Sequence, residues 1–226
     1  MPAQAAHALT IEVDAATRVS ALWQRPPEAR ACLVLAHGAG AGMTHSFMAA
    51  AADGLAERGI ATLRYQFAYM ERGSKRPDLP ALAHAAVRAA VDRAAALAGD
   101  LPLYAGGKSF GGRMTSQAHA AAPLPGVRGL VFIGFPLHPA GKPGDARARH
   151  LADVALPMLF LQGTRDELAD LALLRPVVEA LAPRARLDLF EAADHAFHVP
   201  ARSGRTDAQV LAAVLDHAGA WMLRAA

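Results

Sequence analysis

Cysteine is almost absent from the 226-residue sequence, which contains only Cys32. No internal disulfide can form, and this suits a reducing compartment such as the cytosol. Cys32 lies in an apolar run, so we expect a buried and inert thiol. No stretch approaches the roughly 20 apolar residues of a membrane-spanning helix. Residues 1–7 contain neither Lys nor Arg nor an apolar run that would indicate a signal peptide. We therefore expect a cytoplasmic protein with no membrane partner.

Aromatic residues are also scarce, at 6% of the chain, and the formal net charge is only +3. A nucleic-acid-binding surface would show a continuous basic face interleaved with aromatic residues. The basic residues are instead spread along the chain, with the densest groups at residues 72–76 and 142–149. Solvated loops are the favoured interpretation of these groups, and a pocket for an anionic substrate is the alternative. No nucleic-acid partner is expected.

Short apolar runs recur along the sequence, in which 53% of the residues are hydrophobic. Continuous runs of this kind are typical of strands buried on both faces of a sheet. They lie at residues 31–36, 60–63, 101–105, 129–134, 156–161 and 187–190. Residues 9–13 and 19–23 alternate apolar and polar side chains instead, and predict two exposed or edge strands.

Helices are predicted between these strands, from apolar residues spaced three or four apart. They cover residues 47–55, 82–97, 113–121, a segment that begins near Pro176, and a C-terminal segment. Pro176 is a good first-turn residue, and Thr206-Asp-Ala-Gln209 is a capping-box pattern that starts the last helix.

Strands that alternate with helices predict an α/β fold with a mostly parallel sheet and right-handed crossovers. No linker divides the chain, so we expect residues 1–226 to form a single domain. The one long irregular stretch, residues 136–154, is long enough for a modest flap but too short for a large lid.

Two glycine-bearing turns could bind a nucleotide, and each lacks a required residue. The turn from His37 to Gly42 would need a third glycine at position 43 for a dinucleotide fingerprint, and Met43 stands there. Gly107-Lys108-Ser109 could end a phosphate-binding loop, but Pro102 occupies the position of its first glycine. Neither nucleotide site is favoured.

The segment Gly107-Lys108-Ser109-Phe110-Gly111 fits a third pattern, the Gly-x-Ser-x-Gly nucleophile elbow. That elbow needs a strand, a sharp strained turn and a helix in succession, and a predicted strand and helix flank Ser109. A serine hydroxyl becomes a good nucleophile only with a base within hydrogen-bond reach. The sequence therefore predicts that Ser109 is the nucleophile of a hydrolase.

An acid and a base follow in the order that this elbow requires. Asp166 lies after the apolar run 156–161 and His195 lies after the run 187–190. Because the carboxyl ends of parallel strands meet at one edge of a sheet, we expect both residues near Ser109. Glu167 is the rival acid and His198 is the rival base.

These motifs resemble the α/β-hydrolase superfamily, and more closely its small, lidless dienelactone-hydrolase-like branch. That branch includes relatives of a testis-expressed protein and of a histone-acetyltransferase-complex subunit. The resemblance is carried by His37-Gly38, Gly107-Lys-Ser-Phe-Gly-Gly-Arg-Met114, Gly163-Thr-Arg-Asp166 and Asp194-His195-Ala-Phe197. It implies an eight-stranded α/β-hydrolase fold and a Ser109, Asp166 and His195 triad. It also implies an oxyanion hole formed by the backbone N–H groups of Ala39 and Phe110.

The resemblance implies a serine hydrolase that cleaves a small ester or thioester and needs no metal or organic cofactor. The expected partner is a small-molecule acyl substrate, and the alternative is a catalytically inactive interaction protein. Dienelactone hydrolases proper use a cysteine where this chain has Ser109. Candidate substrate-binding residues are His37, Gly38, Tyr69, His138 and His198. Loops at residues 65–75 and 136–150 are expected to shape the pocket. Arg113 is expected to be a structural ion-pair partner, and a substrate-carboxylate binder is the alternative.

Overall fold

Eight strands form one sheet in the computed structural model, which describes residues 5–224. In chain order they are β1 (His7–Glu12), β2 (Arg18–Gln24), β3 (Ala31–Ala36), β4 (Ile60–Tyr65), β5 (Leu103–Lys108), β6 (Val127–Ile133), β7 (Met158–Gly163) and β8 (Ala185–Phe190). Their spatial order is β1-β2-β4-β3-β5-β6-β7-β8. β2 pairs antiparallel with β1 and with β4, and the other five pairs of neighbouring strands are parallel. The predicted eight-stranded, mostly parallel sheet is confirmed.

Six α-helices accompany the sheet in the described part of the chain. They are α1 (Ser46–Glu57), α2 (Ala68–Glu71), α3 (Pro80–Ala98), α4 (Phe110–Ala121), α5 (Leu171–Ala180) and α6 (Asp207–Arg224). Alternate residues of a strand point to opposite faces of a sheet. In β3, Cys32 and Val34 therefore pack into the core on the side of α3, α4 and α5, whereas Leu33 and Leu35 pack on the side of α1 and α6. Helices on both faces are thus confirmed.

The alternating pattern at residues 19–23 belongs to an interior strand rather than to an edge. β2 pairs with β1 on one side and with β4 on the other, and only β1 lies at the end of the sheet. Alternation reports that one face of a strand is less covered than the other, and it carries no information about hydrogen-bonded neighbours. The prediction of an edge strand was wrong here for that reason.

Helix α5 begins at Leu171, five residues before the predicted start at Pro176, which lies inside the helix. The Asp170 side chain caps it by accepting a 2.9 Å hydrogen bond from the Ala172 N–H. The predicted capping box of α6 is present, since Thr206 and Gln209 exchange side-chain to backbone hydrogen bonds at 2.8 and 3.2 Å.

The irregular stretch after β6 contains a short 3-10 helix, Ala146–Asp153, and forms no lid over the sheet. Among residues 5–224, no helix combines the length and the apolar composition that crossing a membrane requires. The prediction that residues 1–7 hold no signal peptide falls largely on positions 1–4, which lie outside the described residues.

Candidate active site

Ser109 occupies the turn between β5 and α4. Its backbone φ is 50° and its ψ is −115°, a conformation that non-glycine residues rarely adopt. Such strain is held only where the surrounding structure over-determines the backbone. Here the Ser109 N–H donates to the Ile133 carbonyl at 3.1 Å, and its carbonyl accepts from the Arg113 N–H at 3.1 Å. The sharp turn lifts the Ser109 hydroxyl above the carboxyl edge of the sheet.

Glycines on either side of Ser109 allow this turn to pack tightly. A Cβ atom added at Gly107 would overlap the carbonyl of Ala36 in the adjacent strand β3. A Cβ atom added at Gly111 would lie 2.6 Å from the carbonyl oxygen of His37. Both glycines of the elbow motif are therefore required by close backbone approach.

Ser109, His195 and Asp166 form one hydrogen-bonded chain. The Nε2 atom of His195 lies 2.8 Å from the Ser109 Oγ, and its Nδ1 lies 2.7 Å from the Asp166 Oδ2. The Asp166 carboxylate is inaccessible to solvent, whereas a quarter of the His195 side chain is exposed. A buried carboxylate facing Nδ1 places the imidazole proton on that atom, which leaves Nε2 free to accept the Ser109 proton.

Asp166 is held by two further donors. Gln162, at the end of β7, donates a side-chain hydrogen bond to the same Oδ2 atom that faces His195, and the Leu168 N–H donates to Oδ1 at 2.8 Å. The Gln162 amide oxygen accepts from the Phe135 N–H at 2.9 Å, so the amide cannot rotate freely. Glu167, the rival acid, is exposed and takes no part in this network.

The loop that carries His195 is fixed by Lys108 and Asp194. Lys108 Nζ donates to the His195 carbonyl at 2.6 Å. The Asp194 carboxylate accepts from the N–H groups of Ala196 and His198 at 2.8 and 2.9 Å. Burial lowers the pKa of Lys108 to about 8, against the opposing effect of the Asp166 and Asp194 charges.

Ala39 and Phe110 lie beside Ser109, where the predicted oxyanion hole would be. Both line a cleft together with Ser109. Neither backbone N–H donates a hydrogen bond to another group within residues 5–224. Phe110 is the first residue of α4, so its N–H is one of the unpaired donors of a helix start. These two N–H groups can therefore donate hydrogen bonds to the oxyanion that forms when Ser109 attacks a carbonyl carbon.

His37 supports the loop that carries Ala39 and lines neither of the clefts at Ser109, where the prediction placed it. The side chain is fully buried; its Nε2 accepts from the Phe67 N–H at 3.0 Å and its Nδ1 donates to the Gly38 carbonyl at 2.8 Å. Burial lowers its pKa, which keeps the ring neutral. Gly38 does line a cleft, against the side chains of Lys108 and Ser109.

Tyr69 and His138, also predicted to bind substrate, are likewise buried and line neither of the clefts at Ser109. The Tyr69 hydroxyl accepts a 3.1 Å hydrogen bond from the Gly40 N–H, and burial raises the pKa of this phenol. His138 donates from Nδ1 to the Pro139 carbonyl at 2.9 Å and accepts at Nε2 from the Asp170 N–H at 3.0 Å. The Tyr69 hydroxyl and both ring nitrogens of His138 thus hold backbone groups.

His198 lies at the surface and contributes neither to the hydrogen-bonded chain nor to the clefts at Ser109. It pairs with Asp207 at 2.9 Å, and the hydrogen bond to that carboxylate raises the pKa of the imidazole. The structure thus places His198 outside both clefts, where the prediction had placed it inside, and His195 is the imidazole next to Ser109.

Two clefts meet at Ser109. The first, of about 340 Å³, extends along α4, and the second, of about 330 Å³, extends towards α1. Ser109, Ala39 and Leu168 line both of them. The predicted loop 136–150 contributes Pro136 and Arg147 to the first cleft. The predicted loop 65–75 contributes nothing to either, because Pro77, Asp78 and Pro80 after it form that wall instead.

Arg113 is not the structural ion-pair partner that was predicted. No ion pair of residues 5–224 includes it, and its buried Nε has no hydrogen-bond partner. Its guanidinium carbon lies 5.8 Å from the centre of the Phe110 ring. The helix spacing from Ser109 to Arg113 is one turn, which places Arg113 in the cleft along α4.

The sequence did not indicate Gln162 or the contact that Lys108 makes, whereas Arg147 belongs to the basic group 142–149 for which an anionic-substrate pocket was the alternative interpretation. A polar residue directly after the apolar run 156–161 was the available signal for Gln162, since buried polar groups need partners. Nothing in the sequence pointed to the Lys108 contact, which joins residues 87 positions apart. Among residues 5–224, no group of three or more His, Cys, Asp or Glu side chains is placed to hold a metal ion.

Comparison with known proteins shows the family to which the chain belongs. Residues 29–223 match the family model described as an alpha/beta hydrolase domain. Similar solved structures are a dienelactone hydrolase from Anabaena variabilis (TM-score 0.79, 22% identity, 98% of each chain covered) and a lidless α/β serine hydrolase from Xanthomonas campestris (0.73, 22%, 98% of this chain and 96% of that chain). The esterase domain of a Rhodothermus marinus protein is also similar (0.73, 18%, 97% and 98%). The predicted resemblance is confirmed.

Proposed function

Since the chain belongs to the α/β-hydrolase family, we propose that it is a serine hydrolase that cleaves a small ester or thioester through an acyl-enzyme intermediate. The observation that carries this proposal is the hydrogen-bonded chain from Ser109 through His195 to Asp166, built on a strained elbow. A scaffold protein gains nothing from a serine held at φ 50° against an imidazole.

Acylation begins when Ser109 attacks the acyl carbonyl and transfers its proton to Nε2 of His195. Asp166 stabilises the imidazolium that forms, through the hydrogen bond to Nδ1. The backbone N–H groups of Ala39 and Phe110 donate to the oxyanion, an interaction worth about 3 kcal/mol for each donor. His195 then gives its proton to the departing alcohol or thiol, and the acyl group stays on Ser109.

Deacylation repeats these steps with water as the nucleophile. Water enters beside His195, whose side chain is one-quarter exposed, and loses its proton to Nε2. The oxyanion forms again at the same two donors. When it collapses, the C–O bond to Ser109 breaks, His195 returns a proton to the Ser109 oxygen, and the carboxylic acid leaves.

The dienelactone hydrolase, the lidless serine hydrolase and the esterase domain named above support hydrolysis of an ester bond as the reaction class. The shallow clefts at Ser109, of about 340 and 330 Å³, favour a small substrate. The cleft that contains His195 is mostly apolar in its lining and suits the leaving group, which must reach Nε2.

The test is a panel of 4-nitrophenyl esters and short acyl thioesters, with native protein and Ser109→Ala measured side by side. We expect turnover by the native protein and a loss of at least about 1,000-fold in Ser109→Ala. If neither protein hydrolyses any substrate above the buffer rate, the chain is an inactive interaction protein that keeps the fold. Equal rates in the two proteins would place the nucleophile elsewhere.

A further inference from the structure

Two arginine side chains without an acidic partner lie in the cleft along α4 that opens on Ser109. Arg113 comes from α4 and Arg147 from the 3-10 helix 146–153. Neither guanidinium forms an ion pair or donates a side-chain hydrogen bond within residues 5–224. Both side chains are half-buried, so water satisfies them only in part.

The one carboxylate in the same cleft is already engaged. Asp78 accepts from the Tyr69 N–H at 2.9 Å and from the Arg72 guanidinium at 2.7 Å, and its side chain is 2% exposed. The polar surface that the cleft offers to a ligand is therefore positive. A half-buried cation without an acceptor has lost hydration that only an anion or a hydrogen-bond acceptor can replace.

Arg113 and Arg147 also act on each other. Burial and the nearby Arg147 charge both lower the pKa of the Arg113 guanidinium, while no described carboxylate raises it. Two like charges held at one cleft without an intervening anion repel each other. The Arg113 guanidinium carbon lies 5.8 Å from the centre of the Phe110 ring, and this cation–π contact restrains Arg113 at the wall of the cleft.

The position of His195 decides which half of a substrate enters this cleft. His195 lines the second cleft, with Phe47 and Met48, and does not line the first. The leaving group must accept its proton from Nε2 of His195, so it occupies the second cleft. The acyl group on the opposite side of the attacked carbon then extends along α4 towards Arg113 and Arg147.

We propose that the cleft along α4 is an acyl subsite for a chain that ends in a carboxylate, bound by Arg113 and Arg147. The inference rests on the proposed serine-hydrolase function and narrows its substrate to half-esters or half-thioesters of dicarboxylic acids. Guanidinium groups bind a planar carboxylate through paired hydrogen bonds, which selects this anion by geometry as well as charge. Hydrolysis of such a substrate breaks its acyl C–O or C–S bond and adds water, and it yields a dicarboxylate and an alcohol or thiol.

The experiment compares two esters that differ at the distal group, which is charged in one and neutral in the other. They are the mono-4-nitrophenyl ester of adipic acid and the same compound with its free carboxylate capped as a methyl ester. Release of nitrophenolate reports cleavage of the same bond in both. For native protein we expect kcat/KM to be about tenfold or more higher for the anionic ester, the effect of hydrogen bonds to a charged group.

Arg147→Met and Arg113→Met are expected to bring this ratio of kcat/KM values close to one. Arg149→Met is the matched control, because Arg149 is an exposed arginine of the same 3-10 helix and does not line the cleft. It removes the same charge and should keep the native ratio. A native ratio near one, or an equal fall in the Arg149 variant, overturns the proposed subsite.

A binding measurement separates failure of the subsite from failure of the hydrolase proposal. Monomethyl adipate is titrated calorimetrically into Ser109→Ala protein and into Ser109→Ala carrying Arg147→Met or Arg149→Met. The subsite predicts that only Arg147→Met weakens binding, by about tenfold. Such binding without turnover in native protein contradicts the serine-hydrolase function alone. Turnover of the neutral ester, without any anion-dependent binding, contradicts the subsite alone.

Discussion

Lys108 donates a 2.6 Å hydrogen bond from its Nζ to the backbone carbonyl of His195. Lys108, which precedes Ser109 in the chain, thereby holds His195, whose imidazole faces the Ser109 hydroxyl. The ammonium group lies 5.9 Å from the Phe47 ring centre and 5.6 Å from that of Phe197, so it sits between two aromatic rings. Lys108 ties the elbow of β5 to the loop after β8 across the carboxyl edge of the sheet.

This burial makes stability depend on pH. Lys108 loses its proton near pH 8 in the folded protein, and the unfolded chain keeps it until about 10.5. Between these values the unfolded state binds more protons, so the contribution of Lys108 to the free energy of unfolding rises with pH. Urea unfolding from pH 7.5 to 10.5 should show stability rising in native protein relative to Lys108→Met. Lys142→Met, which changes an exposed lysine, should show the same pH dependence of the free energy of unfolding as native protein. If Lys108→Met also showed that pH dependence, the burial of Lys108 would be contradicted.

Asp166 should control the protonation state of His195 rather than its position alone. Asp166→Asn keeps the shape of the side chain but can offer an N–H to Nδ1, which favours the wrong imidazole tautomer. We expect kcat for a 4-nitrophenyl ester to fall by about 10,000-fold. Glu167→Gln, at the adjacent exposed residue, is the control and should retain native kcat. A loss in Asp166→Asn no greater than in Glu167→Gln would remove Asp166 from the mechanism.

Tyr69 should act on kcat through the loop that carries Ala39. Tyr69→Phe removes the acceptor of the Gly40 N–H, so the adjacent oxyanion donor is held less firmly. We expect a decrease in the free energy of unfolding of about 1 kcal/mol, a lower kcat and an unchanged KM. A raised KM with native kcat would instead indicate direct contact with substrate.

Tyr104→Phe provides the comparison for this variant. Tyr104 is buried near the start of β5 and donates a 2.7 Å hydrogen bond to the Met222 carbonyl, far from Ser109 along the strand. Its loss should destabilise the protein to a similar extent while leaving kcat at the native value. Equal losses of kcat in both variants would mean that Tyr69 acts only through global stability.

The sequence was enough to predict the positions of Ser109, Asp166 and His195, because the topology of a parallel sheet determines where the residues after each strand lie. Each residue follows a strand, and parallel strands bring their carboxyl ends to one edge. Patterns of apolar residues are enough to locate those strands. The structure accordingly brings the three side chains into hydrogen-bond contact, although they are separated by up to 86 positions.

Such patterns do not predict the direction in which a side chain of a loop points. His37, Tyr69 and His138 all lie near the correct edge, yet each turns inward to satisfy a backbone N–H. Which polar side chain satisfies which buried amide depends on contacts between distant segments. The same limitation applies to Arg113, whose expected acidic partner is absent from the described residues around it.

Labelling with a fluorophosphonate tests the central claim most directly, because these reagents form a covalent bond with an activated serine hydroxyl. Intact-mass and peptide mapping should show one adduct on native protein, located at Ser109, and none on Ser109→Ala. The exposed Ser46 and the partly exposed Ser74 serve as internal controls that should remain unmodified. Native protein that stays unlabelled, or an adduct that persists in Ser109→Ala, would contradict the account.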